Sequence, residues 1–433
     1  MKLILLELNE INFNFVKKYL QEGEKLPALN KLIEGKFIST HSEDKYEYLE
    51  PWIQWVSVHT GKSFNDHKVF RLGDMSSSSE KQIFEILESR GFKVGAVSPM
   101  NTKNNLKNPS YFIPDPWTDT KNDGSLLSNF VHQSISQAVN DNSKGKLTFK
   151  TIIYFISSML IAISFKDLLS LSAYAISCLR YRYKKALFLD LVIFKIHQYL
   201  FKKENPNFSA LFLNGGAHIQ HHYFFNSKFF QDSKVKNPNW YLSKELDPIL
   251  DMLKCYDKIV SDLLDMKDVE VLVATGLSQI PYDRTKFYYR LKDHKKFLEE
   301  LDITFRKVFP RMTRDFLVTF DSKQEAKIAE AKLSSLLVNN KISLFESIDN
   351  RGEELFITLT YPNEITKRDF IKIDGEKVFL NSKLIFVAIK NGMHQDEGYA
   401  YFSDGIKNFA PSDGDHVKEI HGSILKFFGV PNR

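Results

Sequence analysis

A short apolar run that ends in polar residues constrains the fold of this chain most strongly. Residues 211–213 are followed by Asn214 and two glycines, and then by three histidines, His218, His221 and His222. This pattern is typical of a buried strand that delivers polar side chains to its carboxyl end, where open α/β sheets place their chemistry. Imidazole is both a common metal ligand and the usual proton carrier near neutral pH. A histidine-rich loop with satisfied hydrogen bonds is the alternative interpretation.

Strands and helices alternate along much of the rest of the chain. Residues 3–8 predict a first strand and residues 13–20 a helix, and the helix predicted at 81–89 precedes another strand at 91–98. Such alternation predicts a doubly wound, mostly parallel sheet of the α/β class. With 433 residues, 43% hydrophobic and 26% charged, the chain has the composition of a globular enzyme of two or three structural units.

We predict one core that is interrupted by two insertions. The core comprises residues 1–146, 204–290 and 376–433, and residues 147–203 form an apolar and basic helical insert. Residues 291–375 form a small α+β cap, because a strand, a helix and two further strands follow one another there as in ferredoxin-like folds. Nothing in the cap suggests chemistry, so we expect it to act as a cover or spacer.

The helical insert has two interpretations. Residues 151–165 and 168–179 are uncharged, and both runs are shorter than the roughly 20 apolar residues that cross a bilayer. Four basic residues follow, Arg180, Arg182, Lys184 and Lys185. We favour a helical insertion that packs on the core; the other interpretation is a monotopic patch on an anionic membrane.

Charge and cysteine content exclude several classes of protein. The net charge of +6 is a mild excess for this length, and no basic run interleaved with aromatic residues indicates nucleic acid binding. The two cysteines, Cys178 and Cys255, lie far apart without metal-type spacing, as in proteins of a reducing compartment. Glu7 and Asn9 interrupt the apolar amino terminus, which predicts a strand and no signal peptide. We therefore expect a cytoplasmic protein, with peripheral contact at the inner membrane face as the alternative; the sequence leaves the oligomeric state open.

Several short motifs, together with polar residues at the predicted strand ends, resemble those of a known family. Residues 55–61 read WVSVHTG and His67 follows them, residues 26–32 form a leucine-proline motif, and residues 392–394 read GMH. With the NGGAH of residues 214–218, these motifs resemble the alkaline phosphatase superfamily, most closely its type I phosphodiesterase and nucleotide pyrophosphatase branch. The resemblance covers nearly all of the chain outside the two insertions and implies an α/β core with metal-assisted chemistry on phosphate esters.

The chain departs from the family where the family binds its metals. Asn9 and Asn214 stand in place of two aspartates, and residues 275–278 replace a strand-end Asp-His pair. The nucleophile position falls on Pro51, with Glu50 beside it and no hydroxyl. The resemblance therefore implies at most one metal half-site, with one divalent ion, Zn or Mn, held by His218, His394, Asn214 and Asn9.

Catalytic roles follow from the residues that remain. We predict Glu50, His218 and Glu10 as catalytic residues, with Glu50 as general base or covalent nucleophile. We expect the substrate to be contacted by His221, His222, Trp52 and Gln54. The opposing interpretations are a salt-bridged loop position for Glu50 and a metal-free hydrogen-bond network around His218 and His394.

The predicted function is metal-assisted cleavage or transfer of a phosphate, phosphonate or sulfate ester. By analogy with similar proteins, the substrate is a small-molecule or a glycan- or lipid-linked phosphate of bacterial surface-polysaccharide metabolism. The alternative is a metal-free glycan- or lipid-binding protein that keeps the fold.

Overall fold

The computed structural model describes residues 1–140, 148–230, 233–311 and 314–431. The predicted boundary between residues 146 and 147 lies outside these ranges. The strands are β1 (Leu3–Leu8), β2 (Lys36–His41), β3 (Val94–Val97), β4 (Tyr111–Ile113), β5 (Phe208–Leu213), β6 (Glu270–Ala274), β7 (Ser278–Leu291), β8 (Lys307–Pro310), β9 (Asp315–Thr319), β10 (Leu337–Val338), β11 (Ile342–Ser343), β12 (Ser347–Asn350), β13 (Glu354–Thr358), β14 (Phe370–Ile373), β15 (Glu376–Phe379), β16 (Leu384–Gln395) and β17 (Glu397–Phe402). The helices are α1 (Phe13–Gln21), α2 (Pro27–Glu34), α3 (Pro51–Thr60), α4 (Phe64–His67), α5 (Ile83–Ser89), α6 (Leu126–Asn140), α7 (Phe149–Ala162), α8 (Phe165–Arg180), α9 (Lys184–Glu204), α10 (Gly215–Tyr223), α11 (Pro248–Leu264), α12 (His294–Glu300), α13 (Lys323–Ser334), α14 (Leu380–Lys383) and α15 (Glu419–Phe427).

The central sheet has seven strands in the order β2-β17-β6-β1-β5-β3-β4. Strand β1 pairs in parallel with β5 and β6, β3 pairs in parallel with β5 and β4, and β17 runs antiparallel to β2 and β6. The sheet is therefore mostly parallel, and the predicted α/β class is confirmed.

Helices cover both faces of this sheet. Ile4 and Leu6 of β1 join a hydrophobic cluster with residues of α1, α2, α9 and α11, whereas Leu3 and Leu5 face a cluster with residues of α3, α5 and α15. Every residue of β1 and β5 is buried, as expected for parallel strands that are packed on both faces. The two helical layers make the sheet doubly wound.

The carboxyl edge of the sheet gathers the polar ends of its parallel strands. Asn9 and Glu10 follow β1, Asn214 follows β5, and Thr275 follows β6. Strand β17 enters at the same edge, because it runs in the opposite direction and begins at Glu397. The edge of the fold where α/β proteins place their ligands therefore carries carboxylate and amide side chains.

The helical insert consists of α7, α8 and α9. Helix α9 packs on the sheet through residues such as Leu187 and Val192, so the predicted helical insertion is present. Helices α7 and α8 leave large apolar side chains exposed to solvent, namely Phe149, Ile152, Ile153, Ile156, Leu160, Ile161, Phe165, Leu169, Ile176 and Leu179. Within the described part of the chain, none of the helices combines the length and the apolar character that crossing a bilayer requires.

The cap differs from the ferredoxin-like order that its sequence suggested. Its four-stranded antiparallel sheet has the order β12-β13-β9-β8, with two strands on each side of α13 in the chain. Strands β14 and β15 pair only with each other, and β16 pairs with β7 in a long antiparallel ribbon. Of residues 376–433, only β17 adds a strand to the central sheet, because β15 and β16 find partners outside it.

Burial of a histidine beneath the sheet makes the stability of the fold dependent on pH. The side chain of His197 on α9 is completely buried, and its Nε2 lies 2.9 Å from Ser209 Oγ. Burial lowers the pKa of His197 from 6.5 to about 3. Below pH 6.5, His197 therefore binds a proton in the unfolded chain but stays neutral in the folded chain. The free energy of unfolding falls as the pH falls through that value.

We expect this histidine to reduce the free energy of unfolding by about 2 kcal/mol between about pH 7 and about pH 5. Urea unfolding at both pH values, compared with His197→Gln, measures the contribution. The variant should lose that part of the pH dependence, even if its stability at neutral pH is lower. An unchanged pH dependence in the variant would show that His197 titrates normally.

Candidate metal centre

The carboxylate of Glu10 is the centre of the polar cluster at the sheet edge. Glu10 has a φ of 63°, a left-handed conformation that turns the chain sharply after β1, and it is 2% exposed. Its Oε2 lies 3.0 Å from His221 Nε2 and 3.1 Å from His394 Nε2. Its Oε1 accepts a hydrogen bond of 2.9 Å from Asn9 Nδ2. One buried carboxylate thus joins residues that are far apart in the sequence.

Helix α10 brings His221 to this carboxylate. The backbone N–H of Gly215 donates to Asp190 Oδ2 at 2.8 Å, which fixes the start of the helix. A side chain at Gly216 would collide with Ile11 and Tyr256, so the glycine permits close packing of the helix on the core. This packing sets the rotation of α10, and with it the histidine that faces Glu10.

The ribbon of β7 and β16 supplies His394. His394 lies opposite Gln279 in the ladder, and the Gln279 side-chain amide donates to Glu10 Oε2. The Nε2 atoms of His394 and His221 are 3.3 Å apart. Both strands of the ribbon thus place a side chain against Glu10, and the ribbon contacts the core at this carboxylate.

Glu10 and His394 favour each other's charged form. Burial opposes ionisation of Glu10, but the charges and hydrogen bonds of His394 and His221 outweigh it and hold the pKa of Glu10 well below its ordinary value. Burial also opposes protonation of His394, yet the charge and hydrogen bond of Glu10 raise the pKa of His394. Glu10 is therefore a permanent negative charge at the sheet edge.

Glu50 stands beside this cluster, immediately before α3. Its Oε2 lies 3.6 Å from His394 Nδ1, and its side chain is 34% exposed. Burial and the neighbouring charge of Glu10 raise the pKa of Glu50 to about 7, although His394 and Lys390 oppose that shift. A partly accessible carboxyl with such a pKa can give and take protons near neutral pH.

The donor set of the cluster suits a transition metal. One ligand atom from each of Glu10, His221 and His394 lies within 4.8 Å of the other two, and no other group of three such residues was found in the described ranges. Two imidazoles and one carboxylate form a common catalytic zinc set, which leaves a position for water or substrate. The residues present therefore fit one divalent ion.

Three of the predicted metal ligands contact other protein groups. Asn9 Nδ2 donates to Asn214 Oδ1 at 2.8 Å, and Asn9 Oδ1 accepts from Trp55 Nε1 at 2.7 Å, so the two amides engage each other and the core. The ring of His218 contacts that of His222, at 4.9 Å between centroids, because residues four apart share a helix face. Of the four predicted ligands, only His394 belongs to the group.

Two residues with other predicted roles complete the group. Glu10 was predicted as catalytic and His221 as a substrate contact. The carboxylate of the group stands one residue after Asn9, and its first imidazole stands one helical turn after His218. A carboxylate two residues after the end of β1 and a histidine one helical turn after His218 were the signals for them in the sequence.

The remaining predicted substrate contacts differ in accessibility. His222 is partly exposed, and burial lowers its pKa. The neighbouring His218, which was predicted as a metal ligand and a catalytic residue, is exposed. Trp52 is partly buried, with its Nε1 donating to Phe70 O at 3.0 Å. Gln54 is completely buried and donates to Tyr48 O at 2.8 Å, so the structure does not present it to a substrate.

Comparison with known proteins gives a likeness of structure alone. The chain matches no protein-family model and no curated protein sequence. It is similar to solved structures of the alkaline phosphatase superfamily, as its motifs predicted. These include phosphonoacetate hydrolase from Sinorhizobium meliloti 1021, at 11% identity and a TM-score of 0.43 over 99% of this chain and 96% of that one. Murine ectonucleotide pyrophosphatase/phosphodiesterase 5 aligns at 10% identity and a TM-score of 0.45 over 100% and 96% of the two chains. The alkaline phosphatase from the Antarctic bacterium TAB5 aligns at 12% identity and a TM-score of 0.41, over 100% of this chain and 99% of that one. At these values the alignments transfer neither residue roles nor an activity to this chain.

The amide at position 9 is suited to its neighbours, and we expect Asn9→Asp to destabilise the fold by about 1 to 3 kcal/mol. The substitution removes the donor to Glu10 and Asn214 and places a second buried carboxylate against Glu10. Urea unfolding at neutral pH measures the change. The matched control is Asn30→Asp, since Asn30 Nδ2 also donates to a glutamate, Glu34, but in an exposed position. Equal effects of the two substitutions would contradict this account of Asn9.

Proposed function

We propose that the chain is a metal-dependent hydrolase or transferase that cleaves a phosphate, phosphonate or sulfate ester. The observation that carries the proposal is the convergence of Glu10, His221 and His394 at the carboxyl edge of the sheet. These residues would hold one divalent ion, Zn or Mn. When bound, such an ion polarises an oxygen of the ester and stabilises the charge that develops on it.

Glu50 is the proposed general base. Its carboxylate adjoins His394 on the side opposite Glu10, since the two glutamates contact different ring nitrogens of that histidine. It can accept the proton of an attacking water or of a substrate hydroxyl while the ester bond breaks. Water as the attacking group gives hydrolysis, and a hydroxyl gives transfer of the phosphoryl or sulfuryl group.

Two imidazoles next to the centre, those of His218 and His222, are the proposed contacts of the substrate. His222 donates its Nδ1–H to Ile389 O at 3.2 Å, which fixes the orientation of the ring. The exposed His218 packs against that ring and contacts Tyr223 on its other side. Because the Nδ1–H of His222 is engaged, its Nε2 can accept a hydrogen bond from a substrate hydroxyl, whereas a ring N–H of His218 can donate to an anionic oxygen.

We expect Zn or Mn affinity to fall by roughly 100-fold or more in Glu10→Gln and in His221→Ala, because each variant removes a ligand. Isothermal titration calorimetry measures the affinity, and His218→Ala is the matched control on the same helix. Turnover of an aryl phosphodiester and of an aryl sulfate should fall in the same two variants, because they bind less metal. In Glu50→Gln, metal affinity should persist while kcat falls about 100-fold to 10,000-fold.

A metal-free binding protein is the second candidate function. The charge of Glu10 is already balanced by His394, and its carboxylate accepts hydrogen bonds from Asn9 and Gln279, so the cluster is satisfied by protein groups alone. On this alternative, a sugar phosphate binds equally well with and without EDTA. If the protein binds no metal and turns over neither ester with any divalent ion added, the hydrolase proposal is rejected and the metal-free binding protein remains.

We further propose that α7 and α8 dock on an anionic membrane, at its cytoplasmic face. Their exposed apolar side chains include Leu160, Phe165 and Leu179, at 66%, 76% and 85% exposure. Residues 148–189 contain six lysines and arginines and a single acid, Asp167, which is itself 3.4 Å from Lys195. An apolar face with a basic rim complements anionic lipid headgroups. A glycan- or lipid-linked phosphate, as in surface-polysaccharide metabolism, would then be presented to the enzyme at the membrane.

Flotation with anionic liposomes tests the docking. We expect the protein to float at low salt, to float less at high salt, and to remain at the bottom when Ile156, Leu160 and Leu179 are all replaced by serine. Ile328→Ser on α13 is the control, because Ile328 is 49% exposed but lies on the cap. Failure of the unaltered protein to float, with a concentration-dependent dimer in light scattering, would assign the face to a second copy of the chain.

A further inference from the structure

The ribbon of β7 and β16 carries a row of polar residues away from the metal centre. Along β7, Lys286 and Tyr288 alternate with Phe287, which belongs to the hydrophobic cluster of the cap, so these two side chains share one face of the ribbon. A register shift separates them from Tyr282, whose ring reaches the same face in contact with Lys390. This face begins at His394 and Gln279 and extends to the cap.

Three cations meet on this face. Lys390 of β16 lies directly opposite Lys286 in the ladder, and its Nζ sits 4.2 Å from the centre of the Tyr282 ring. The Arg314 guanidinium, from the cap, lies 4.3 Å from the centre of the Tyr288 ring. Directly opposed like charges destabilise a pair of strands, so a group that offsets the repulsion between these two lysines is expected nearby.

In the described part of the chain, carboxylates act on the two lysines only from beyond ion-pair distance, Glu346 on Lys286 and Glu50 and Asp283 on Lys390. Burial, followed by Lys286 and Arg314, lowers the pKa of Lys390 to about 8, against the opposing charges of Glu50 and Asp283. Burial, followed by Arg314 and Arg284, also lowers the pKa of Lys286. Within the described ranges, neither lysine forms an ion pair with a carboxylate.

A second opposed lysine pair shows what an ordinary solvated arrangement looks like. Lys372 and Lys377 face each other on the hairpin of β14 and β15, and both are exposed. Water surrounds both side chains and screens their charges from each other. The pair on the ribbon is partly buried and lies near a third cation, which makes it electrostatically costly without a bound anion.

We propose that Lys286, Lys390 and Arg314 form an anion subsite that binds a second negatively charged group of the substrate. The inference rests on the proposed function, because it places this group on the same ligand as the ester that is cleaved. Lys390 precedes His394 by four residues, so roughly 13 Å of strand separates the subsite from the metal centre. Glu50 is near both, since it lies 3.6 Å from His394 and its charge also acts on Lys390.

The spacing defines a class of substrate. It requires an extended molecule whose two anionic groups, such as two phosphates or a phosphate and a carboxylate, are separated by about 13 Å or less. Tyr282 and Tyr288 stack against the cations and offer flat walls for sugar rings or other planar groups. A small aryl ester with a single charge would occupy the metal centre and leave the subsite empty.

Calorimetry with inorganic tripolyphosphate in the presence of EDTA tests the subsite without the metal. We expect binding that weakens at high salt and loses about ten-fold in affinity in Lys390→Gln and in Arg314→Gln. Lys390→Arg should retain most of the affinity, and Lys377→Gln, at the exposed lysine pair, should bind as the unaltered protein does. Thermal unfolding of each variant verifies that the fold is intact.

The same titration on Glu10→Gln separates this inference from the proposed function. Anion binding should persist in that variant, because the subsite does not use the metal ligands. Unchanged binding in both Lys390→Gln and Arg314→Gln would overturn the subsite, whatever the metal measurements show. Binding that Glu10→Gln abolishes and Lys390→Gln does not would place the anion at the metal centre and also overturn it.

Discussion

The buried carboxylate of Glu10 is the constraint on which the site depends. A charged group removed from water is tolerated only when other groups satisfy it, and this carboxylate is satisfied by the side chains of Asn9, His221, Gln279 and His394. These belong to the end of β1, to α10 and to both strands of the ribbon. The same contacts that stabilise the charge therefore fix three separate parts of the chain around one point. The chemistry proposed for the site is a consequence of how the fold accommodates this charge.

Much of the fold could be predicted from the sequence, because its strong signals are local. The apolar runs of β1, β5 and β6, each followed by polar residues, predict parallel strands and the edge where their ends meet. Glu10, Glu50 and His394 could be assigned to that edge for the same reason, since each lies next to a strand end or a helix start. The uncharged apolar runs at residues 151–165 and 168–179 also suggested a helical insert.

The choice between His218 and His221 could not be made from the sequence. It depends on the rotation of α10, which is set by contacts with distant residues: Asp190 at the backbone of Gly215, and Ile11 and Tyr256 against Gly216. The ribbon was missed for a similar reason. The segment that forms β16 has the apolar content of a sheet strand, and only its pairing with β7 removes it from the central sheet. Long-range pairing leaves no trace in local periodicity.

The coordination shell of a bound metal tests the central claim most directly. X-ray absorption spectroscopy at the zinc edge, with one equivalent of Zn, should show two imidazole nitrogens and oxygen donors at about 2.0 to 2.2 Å. His221→Ala should remove one imidazole from that shell, and His218→Ala should leave it unchanged. A shell of oxygen atoms alone, or the loss of an imidazole in His218→Ala and not in His221→Ala, would contradict the account.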